Sequence, residues 1–200
     1  MRIIAATIAA ATLVAPAGAQ QVTGQPAGDF RLTDADGRQV TLSQFRGKPV
    51  VLEWNNPGCP FVQKHYASGN MQKTQAAARA AGAVWLTINS GAPGKQGHMT
   101  GAEAKAFVAD QKARPTRYLL DPAGRVGKGY AAKTTPHMYI VDGRGVLRYQ
   151  GAIDDKPTAD RADIADARNH VTAAIGEMRA GRPVSVAETR PYGCTVKYAS

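Results

Sequence analysis

The chain of 200 residues carries two cysteines, Cys59 and Cys194. Cys59 lies in Asn55-Asn56-Pro57-Gly58-Cys59-Pro60-Phe61-Val62-Gln63-Lys64-His65-Tyr66, after a loop and before a segment that opens a helix. Pro60 suits a first helical turn. At a helix N-terminus the macrodipole and the free backbone N–H groups favour thiolate over thiol. The thiolate is the nucleophile, so Cys59 is a candidate for thiol chemistry. A Cys-x-x-Cys pair would place a second cysteine three residues on, but Val62 stands there. Two cysteines allow one bridge and are too few for a disulfide scaffold in a chain this long.

Other ligating types are sparse. His65, His98, His137 and Met99 raise a metal question. Cys59 and His65 are six apart and do not share a helix face. No His-x-x-x-His pair is present. We therefore assign no metal and no cofactor.

The elements that must position Cys59 follow from hydrophobic period. Phe30-Arg31-Leu32 and Gln39-Val40-Thr41-Leu42 alternate around Asp36-Gly37, which predicts a hairpin. Val50-Val51-Leu52-Glu53-Trp54 and Val84-Trp85-Leu86-Thr87-Ile88 are continuous runs of the kind buried on both faces. Between them a helix is expected from Pro60, with a break near Ser68-Gly69-Asn70 and a second part over 71–81. Thr100-Gly101-Ala102-Glu103 matches a capping box, so a helix starts there. Ala104, Phe107, Val108 and Gln111 share one face of it. Tyr118-Leu119-Leu120 is a short strand. Residues 138–141 and 146–149 form a strand pair around Asp142-Gly143-Arg144-Gly145. A single long helix is expected over 159–180, with Ile164, Ala167, Val171, Ile175 and Met178 as its stripe. Gly181 and Pro183 end it. Strands alternating with helices and closing on an antiparallel pair predict an α/β domain, a mixed central sheet with helices on both faces. Trp54 and Trp85 are expected in the core.

Composition bounds the rest. The chain is 44% hydrophobic and 20% charged, which suits one globular domain with a core. Its net charge is +10, but the basic residues (Arg46, Lys48, Lys64, Lys73, Lys105, Arg125) are scattered. That is a solvated basic surface and not a nucleic-acid patch. Arg2, the apolar run 3–15 and Ala17-Gly18-Ala19 have the pattern of a secretory signal peptide over residues 1–19. The run is too short to span a membrane comfortably. The expected mature protein is exported, periplasmic or secreted, with no stable membrane insertion after cleavage. It would meet an oxidising compartment. Residues 20–183 form the domain, and 184–200 form a tail that carries Cys194.

The order strand, Cys59-Pro60, helix, then Thr135-Pro136 before a strand, resembles the thioredoxin superfamily. Leu42-Ser43-Gln44-Phe45-Arg46-Gly47-Lys48-Pro49-Val50 resembles the entry of peroxiredoxin-like (redoxin) and exported thioredoxin-like domains. The resemblance covers residues 30–180. It implies a thioredoxin-like fold in which Pro136 is cis and packs against Cys59, while the Thr135 backbone pairs with a bound substrate strand. It also implies a buried acid at Glu53, six residues before Cys59. Peroxiredoxins place their peroxide-attacking cysteine where Val62 stands, a threonine where Cys59 stands, and a proline where Asn55 stands. The peroxidase pocket is thus not reproduced, and the chain resembles a redoxin group that keeps only the first thioredoxin cysteine.

In that frame Cys194 is the candidate partner. A Gly-Cys beyond the last helix could fold back over the Cys59 loop, and attack on a mixed disulfide would complete a cycle. Glu53, if buried, could accept the proton of the resolving thiol. The expected activity is thiol–disulfide exchange with Cys59 as nucleophile and Cys194 as resolving sulfur. Its partners would be protein thiols or disulfides, or a small thiol. Two alternatives stay open. One is a non-catalytic binding or metal-carrying module whose Cys59–Cys194 disulfide only pins the tail, with His137 near Cys59 and a soft metal such as Cu(I). The other is a thiol peroxidase.

Overall fold

The computed structural model describes residues 21–199. The signal-like residues 1–19 lie outside them. The chain opens with β1 (Arg31–Asp34) and β2 (Gln39–Thr41), paired as the expected hairpin. β3 (Val50–Trp54) follows, then α1 (Pro60–Ala67), α2 (Asn70–Ala80), β4 (Val84–Asn89), α3 (Gly101–Asp110), β5 (Arg117–Leu120) and α4 (Arg125–Gly129). The chain continues through β6 (Thr134–Thr135), β7 (His137–Val141), β8 (Leu147–Gly151), α5 (His170–Arg179) and β9 (Cys194–Thr195). Seven strands form one sheet in the order β2-β1-β5-β4-β3-β7-β8, while β6 and β9 pair separately.

β3 sits centrally, parallel to β4 and antiparallel to β7. Both of its faces are covered, which is why its sequence reads as a continuous apolar run. Val50, Leu52 and Trp54 point into one core with Leu86, Ile88, Leu119, Tyr130 and Tyr139. Val51 points into the other with Val62, Met71, Trp85, Met138, Ile140 and Val171. α2 packs on β4 and α5, and Phe107 of α3 stacks edge-on against Tyr66 and Tyr118. The opposite face is closed by lighter pieces: Phe45 of a 3-10 turn, Val126 of α4 and Val196 of the tail.

Local expectations mostly hold. Gly69, at φ 76°, separates α1 from α2 where the break was expected. Thr100 and Glu103 form the full capping box of α3. The long helix over 159–180 is shorter than its stripe predicts. Ala162–Asp166 is a 3-10 turn, Ala167 is extended, and α5 begins only at His170. Side chains capture the backbone there. Asp155 accepts from Arg168 N at 2.9 Å, and Asn169 caps α5 by accepting from Thr172 N at 2.9 Å. α4 carries no apolar period, yet it forms because buried Asp121 accepts from Gly127 N at 2.9 Å.

Candidate thiol site

Cys59 is the N-cap of α1, and Pro60 occupies the first turn. The approach is set by Asn56, whose carbonyl accepts from Cys59 N at 3.0 Å and whose side chain accepts from Gly58 N at 2.9 Å. Asn56 is held in turn by Gln96, 2.9 Å away on the loop after β4. The sulfur is fully buried. The Thr135–Pro136 peptide is cis, and the Cys59 thiol donates to the Thr135 carbonyl at 3.1 Å. The cis-proline loop thus meets Cys59 through the Thr135 carbonyl.

The tail returns to this point. β9 pairs antiparallel with β6, setting Thr135 opposite Cys194 and Thr134 opposite Thr195. The Thr135 hydroxyl adds a 3.4 Å contact to the Cys194 carbonyl. Gly193 makes the approach possible: its φ is 126°, and a Cβ there would collide with the Thr135 carbonyl oxygen. Both cysteines are free thiols, Cys59 buried and Cys194 half-buried. The strand pairing sets Cys194 beside the Thr135 carbonyl that Cys59 contacts, close enough for each thiol to shift the acidity of the other.

The two sulfurs are driven apart in acidity. Burial pushes the Cys59 thiol up. Hydrogen bonds from the Cys194 side chain, the Val62 and Cys194 backbones and the Thr135 side chain outweigh it, so Cys59 sits below the ordinary thiol value. Val62 thus serves Cys59 with its N–H while its side chain fills the core. Cys194 is pushed up to about 11 by burial, then by its hydrogen bond to Cys59 and by the negative charge there; Lys197 pulls weakly the other way. Negative charge therefore collects on Cys59, and the proton stays on Cys194.

Glu53 is fully buried on the same side of β3. One oxygen accepts from Tyr66 Oη at 2.7 Å and Asn55 Nδ2 at 3.1 Å. The other accepts from Trp85 Nε1 at 2.8 Å, Thr87 Oγ1 at 2.9 Å and Gln75 Nε2 at 3.4 Å. These five donors come from the Cys59 loop, α1, α2 and β4, so the carboxyl ties together the elements beneath Cys59. Asn55, at the peroxiredoxin proline position, belongs to the same lattice and accepts from Tyr118 Oη at 3.0 Å.

Three histidines have partners of their own. The His137 ring sits 4.6 Å from that of Tyr139, and its Nδ1 accepts from Lys133 N at 3.3 Å. His98 Nδ1 is 2.8 Å from the Gly91 carbonyl. His65 is buried in α1 beside Asp154. Among the described residues, no three His, Cys, Asp or Glu side chains cluster closely enough to hold a metal ion.

Sequence reasoning missed the residues that hold the tail. Tyr192 sits against Phe61 with ring centroids 5.8 Å apart. Tyr198 lies over Gly124 and Gly127 and donates to the Ala132 carbonyl at 2.8 Å. The two tyrosines flanking Cys194 in sequence were the only available signal.

A seven-stranded mixed sheet, with a thiol capping the helix after its central strand and a cis-proline loop against it, defines a thioredoxin-like fold. Residues 23–150 match the model of the AhpC/TSA family, and the chain belongs to that family. It is 28% identical over 128 residues to the methylamine utilization protein MauD of Paracoccus versutus, a match covering 64% of this chain and 57% of that protein. The chain thus spans little more than half the length of that relative. With MauD of Paracoccus denitrificans it shares 23% identity over 158 residues, 75% of this chain and 72% of the other. Among solved structures, a hypothetical protein from Sinorhizobium meliloti superposes with a TM-score of 0.75 at 25% identity, covering 91% of this chain and 97% of that one. A thiol:disulfide interchange protein from a Bacteroides species matches in fold, with a TM-score of 0.53 at 20% identity over 73% of this chain and 88% of that one. No helix among the described residues is long and apolar enough to cross a membrane.

Proposed function

We propose that the chain performs thiol–disulfide exchange with Cys59 as nucleophile and Cys194 as resolving sulfur. The observation that carries this reading is the Thr135–Cys194 pairing, which brings the tail thiol to Cys59. The reaction balances as two displacements. The Cys59 thiolate attacks a partner disulfide, forming a mixed disulfide and releasing one partner thiolate. Cys194 then gives up its proton and attacks the Cys59 sulfur, forming the Cys59–Cys194 disulfide and releasing the second thiolate. The partner disulfide is reduced by two electrons and the pair is oxidised; run backwards, the same steps oxidise a partner dithiol. Cys59 is fully buried beneath β9, so a partner must take the place of the tail strand along Thr134–Pro136 before it can be attacked. The interchange relative of similar fold points to protein thiols or disulfides as partners. The signal-like residues 1–19 support export to an oxidising compartment. We assign Glu53 a positioning part: its oxygens are engaged by five donors, and it orders the loop and helix that present Cys59.

Cys59→Ser should lower the rate of exchange with a small disulfide at least about a thousandfold, since the hydroxyl is a far weaker nucleophile near neutral pH. Cys194→Ser should keep the first attack and accumulate the mixed disulfide. Unchanged turnover in Cys59→Ser sinks the proposal. The burial of Cys59 also favours a second reading, a stable bridge that pins the tail. A Cys59–Cys194 potential below about −300 mV, resistant to glutathione, selects that reading. The peroxidase alternative draws no support from the position that would carry its cysteine, since Val62 is buried there among apolar side chains.

A further inference from the structure

Beside Cys59, the second face of α1 carries a polar cluster that the exchange steps do not use. Lys64, His65 and Asp154 are all buried. The Lys64 ammonium donates to the Lys156 carbonyl at 2.8 Å. The Asn70 side-chain amide lies 2.8 Å from His65 Nδ1. Asn70 Nδ2 can only donate, so Nδ1 accepts and the His65 proton is assigned to Nε2. That Nε2–H faces the Tyr192 hydroxyl at 3.1 Å, and the Tyr192 O–H donates to Asp154 Oδ1. Lys156 N also donates to Oδ1, at 3.1 Å. The other oxygen, Oδ2, is buried without a hydrogen bond and lies 3.9 Å from His65 Nε2. Around the ring of the same tyrosine, Phe61 packs edge-on at 5.8 Å and the Lys64 ammonium sits 5.8 Å from the centroid.

We propose that Tyr192 is a positioning residue that delivers Cys194 to Cys59, with Phe61, Lys64, His65 and Asp154 as its socket. The proposal rests on the reading of Cys194 as resolving sulfur. Symmetry of spacing supports it. Phe61 lies two residues after Cys59 and Tyr192 two residues before Cys194, so their ring contact fixes the two sulfurs in register. Three of the four socket residues belong to α1, the helix that Cys59 caps. The tail is thus fastened to the element that carries the nucleophile. An apolar socket would bury the ring at less electrostatic cost. A directional chain of hydrogen bonds instead sets the depth and rotation of the tyrosine, and through it the place of the next strand. The Tyr198 anchor on Gly124 and Gly127 holds the far side of β9 but is tied to α4.

The test uses the reduced full chain and an aromatic disulfide reagent that releases a coloured thiolate. Attack by Cys59 releases the first equivalent in a second-order step; attack by Cys194 on the mixed disulfide releases the second in a first-order step. Tyr192→Ala should slow the second step about tenfold or more, because the tail thiol loses effective concentration. The first step should be as fast or faster, because the cover over Cys59 is looser. Tyr192→Phe, which keeps the ring and removes the hydroxyl, should fall between. A tenfold loss also makes the Cys59–Cys194 pair more oxidising by about 30 mV against glutathione. Equal second-step rates in wild type and both variants overturn the proposal, as does equal slowing of both steps. A wild type that releases only one equivalent overturns the exchange reading itself and the proposal with it. A wild type that releases two, with variants unchanged, overturns the positioning role alone.

Discussion

Glu53 and Asp154 are both buried carboxyls on the side of the sheet that carries Cys59, yet they are satisfied differently. Glu53 accepts from five side-chain donors, all within residues 53–87 of the domain frame. Asp154 leaves one oxygen without a hydrogen bond, and its one side-chain donor, Tyr192, comes from the tail. A saturated network inside one frame behaves as a strut, since every donor loses its partner if the carboxyl goes. A half-satisfied network shared with a tail can be remade when the tail leaves. On the proposed exchange reading, the site has a rigid platform beneath Cys59 and a detachable cover above it.

The comparison can be broken from either side. The largest effect is expected at Glu53. Glu53→Ala strands the indole of Trp85, the phenol of Tyr66 and three further donors in the core, and should cost about 3–5 kcal/mol in denaturant unfolding. A loss below about 1 kcal/mol would remove the strut from the argument.

Next comes acid. Burial holds the His65 imidazole down at about 4; Asp154 opposes this and Lys64 adds to it. The unfolded chain therefore binds a proton near 6.5 that the folded chain refuses until about 4. Stability from this group is complete above 6.5 and lost as pH falls through that window, by about 3 kcal/mol in all. His137, held at about 3 by burial and then Lys133, adds a loss of the same sign that reaches lower pH. Replacing His65 with Gln should flatten the slope of stability between pH 6.5 and 4 by about one proton. An unchanged slope would detach His65 from it.

The smallest expected effect is at the cover. Asp154→Asn keeps the shape and should change global stability by about 1 kcal/mol or less. Backbone amides of 192–196 should nonetheless exchange with deuterium several times faster, while those of β3 and β4 stay unchanged. Loss of protection spread evenly over the sheet would mean that the tail and the platform unfold together.

Much of the platform was legible in the sequence. The runs at Val50 and Val84, the capping box at Thr100 and the break at Gly69 are local signals, and each sits where its chemistry places it. The long helix over 159–180 was overread because Ile164 and Ala167 have helical spacing with Val171, while Asp155 and Asn169 compete for the backbone in between. α4 went unread because a five-residue element with two glycines has no period, and it depends on Asp121 and Tyr198.

By itself the sequence determined that Cys59 caps a helix after a buried strand and that Val62 denies it a neighbouring thiol; the resemblance to the thioredoxin superfamily added Thr135-Pro136 as the loop expected to meet it. Only the tertiary structure decided what faces Cys59. The pairing of Thr135 with Cys194 spans 59 residues and rests on a two-residue strand, too short to leave a pattern. Gly193, Tyr192 and the buried Lys64–His65–Asp154 socket acquire their roles only when the tail lies across α1, because their partners are distant in the chain and near only in the fold.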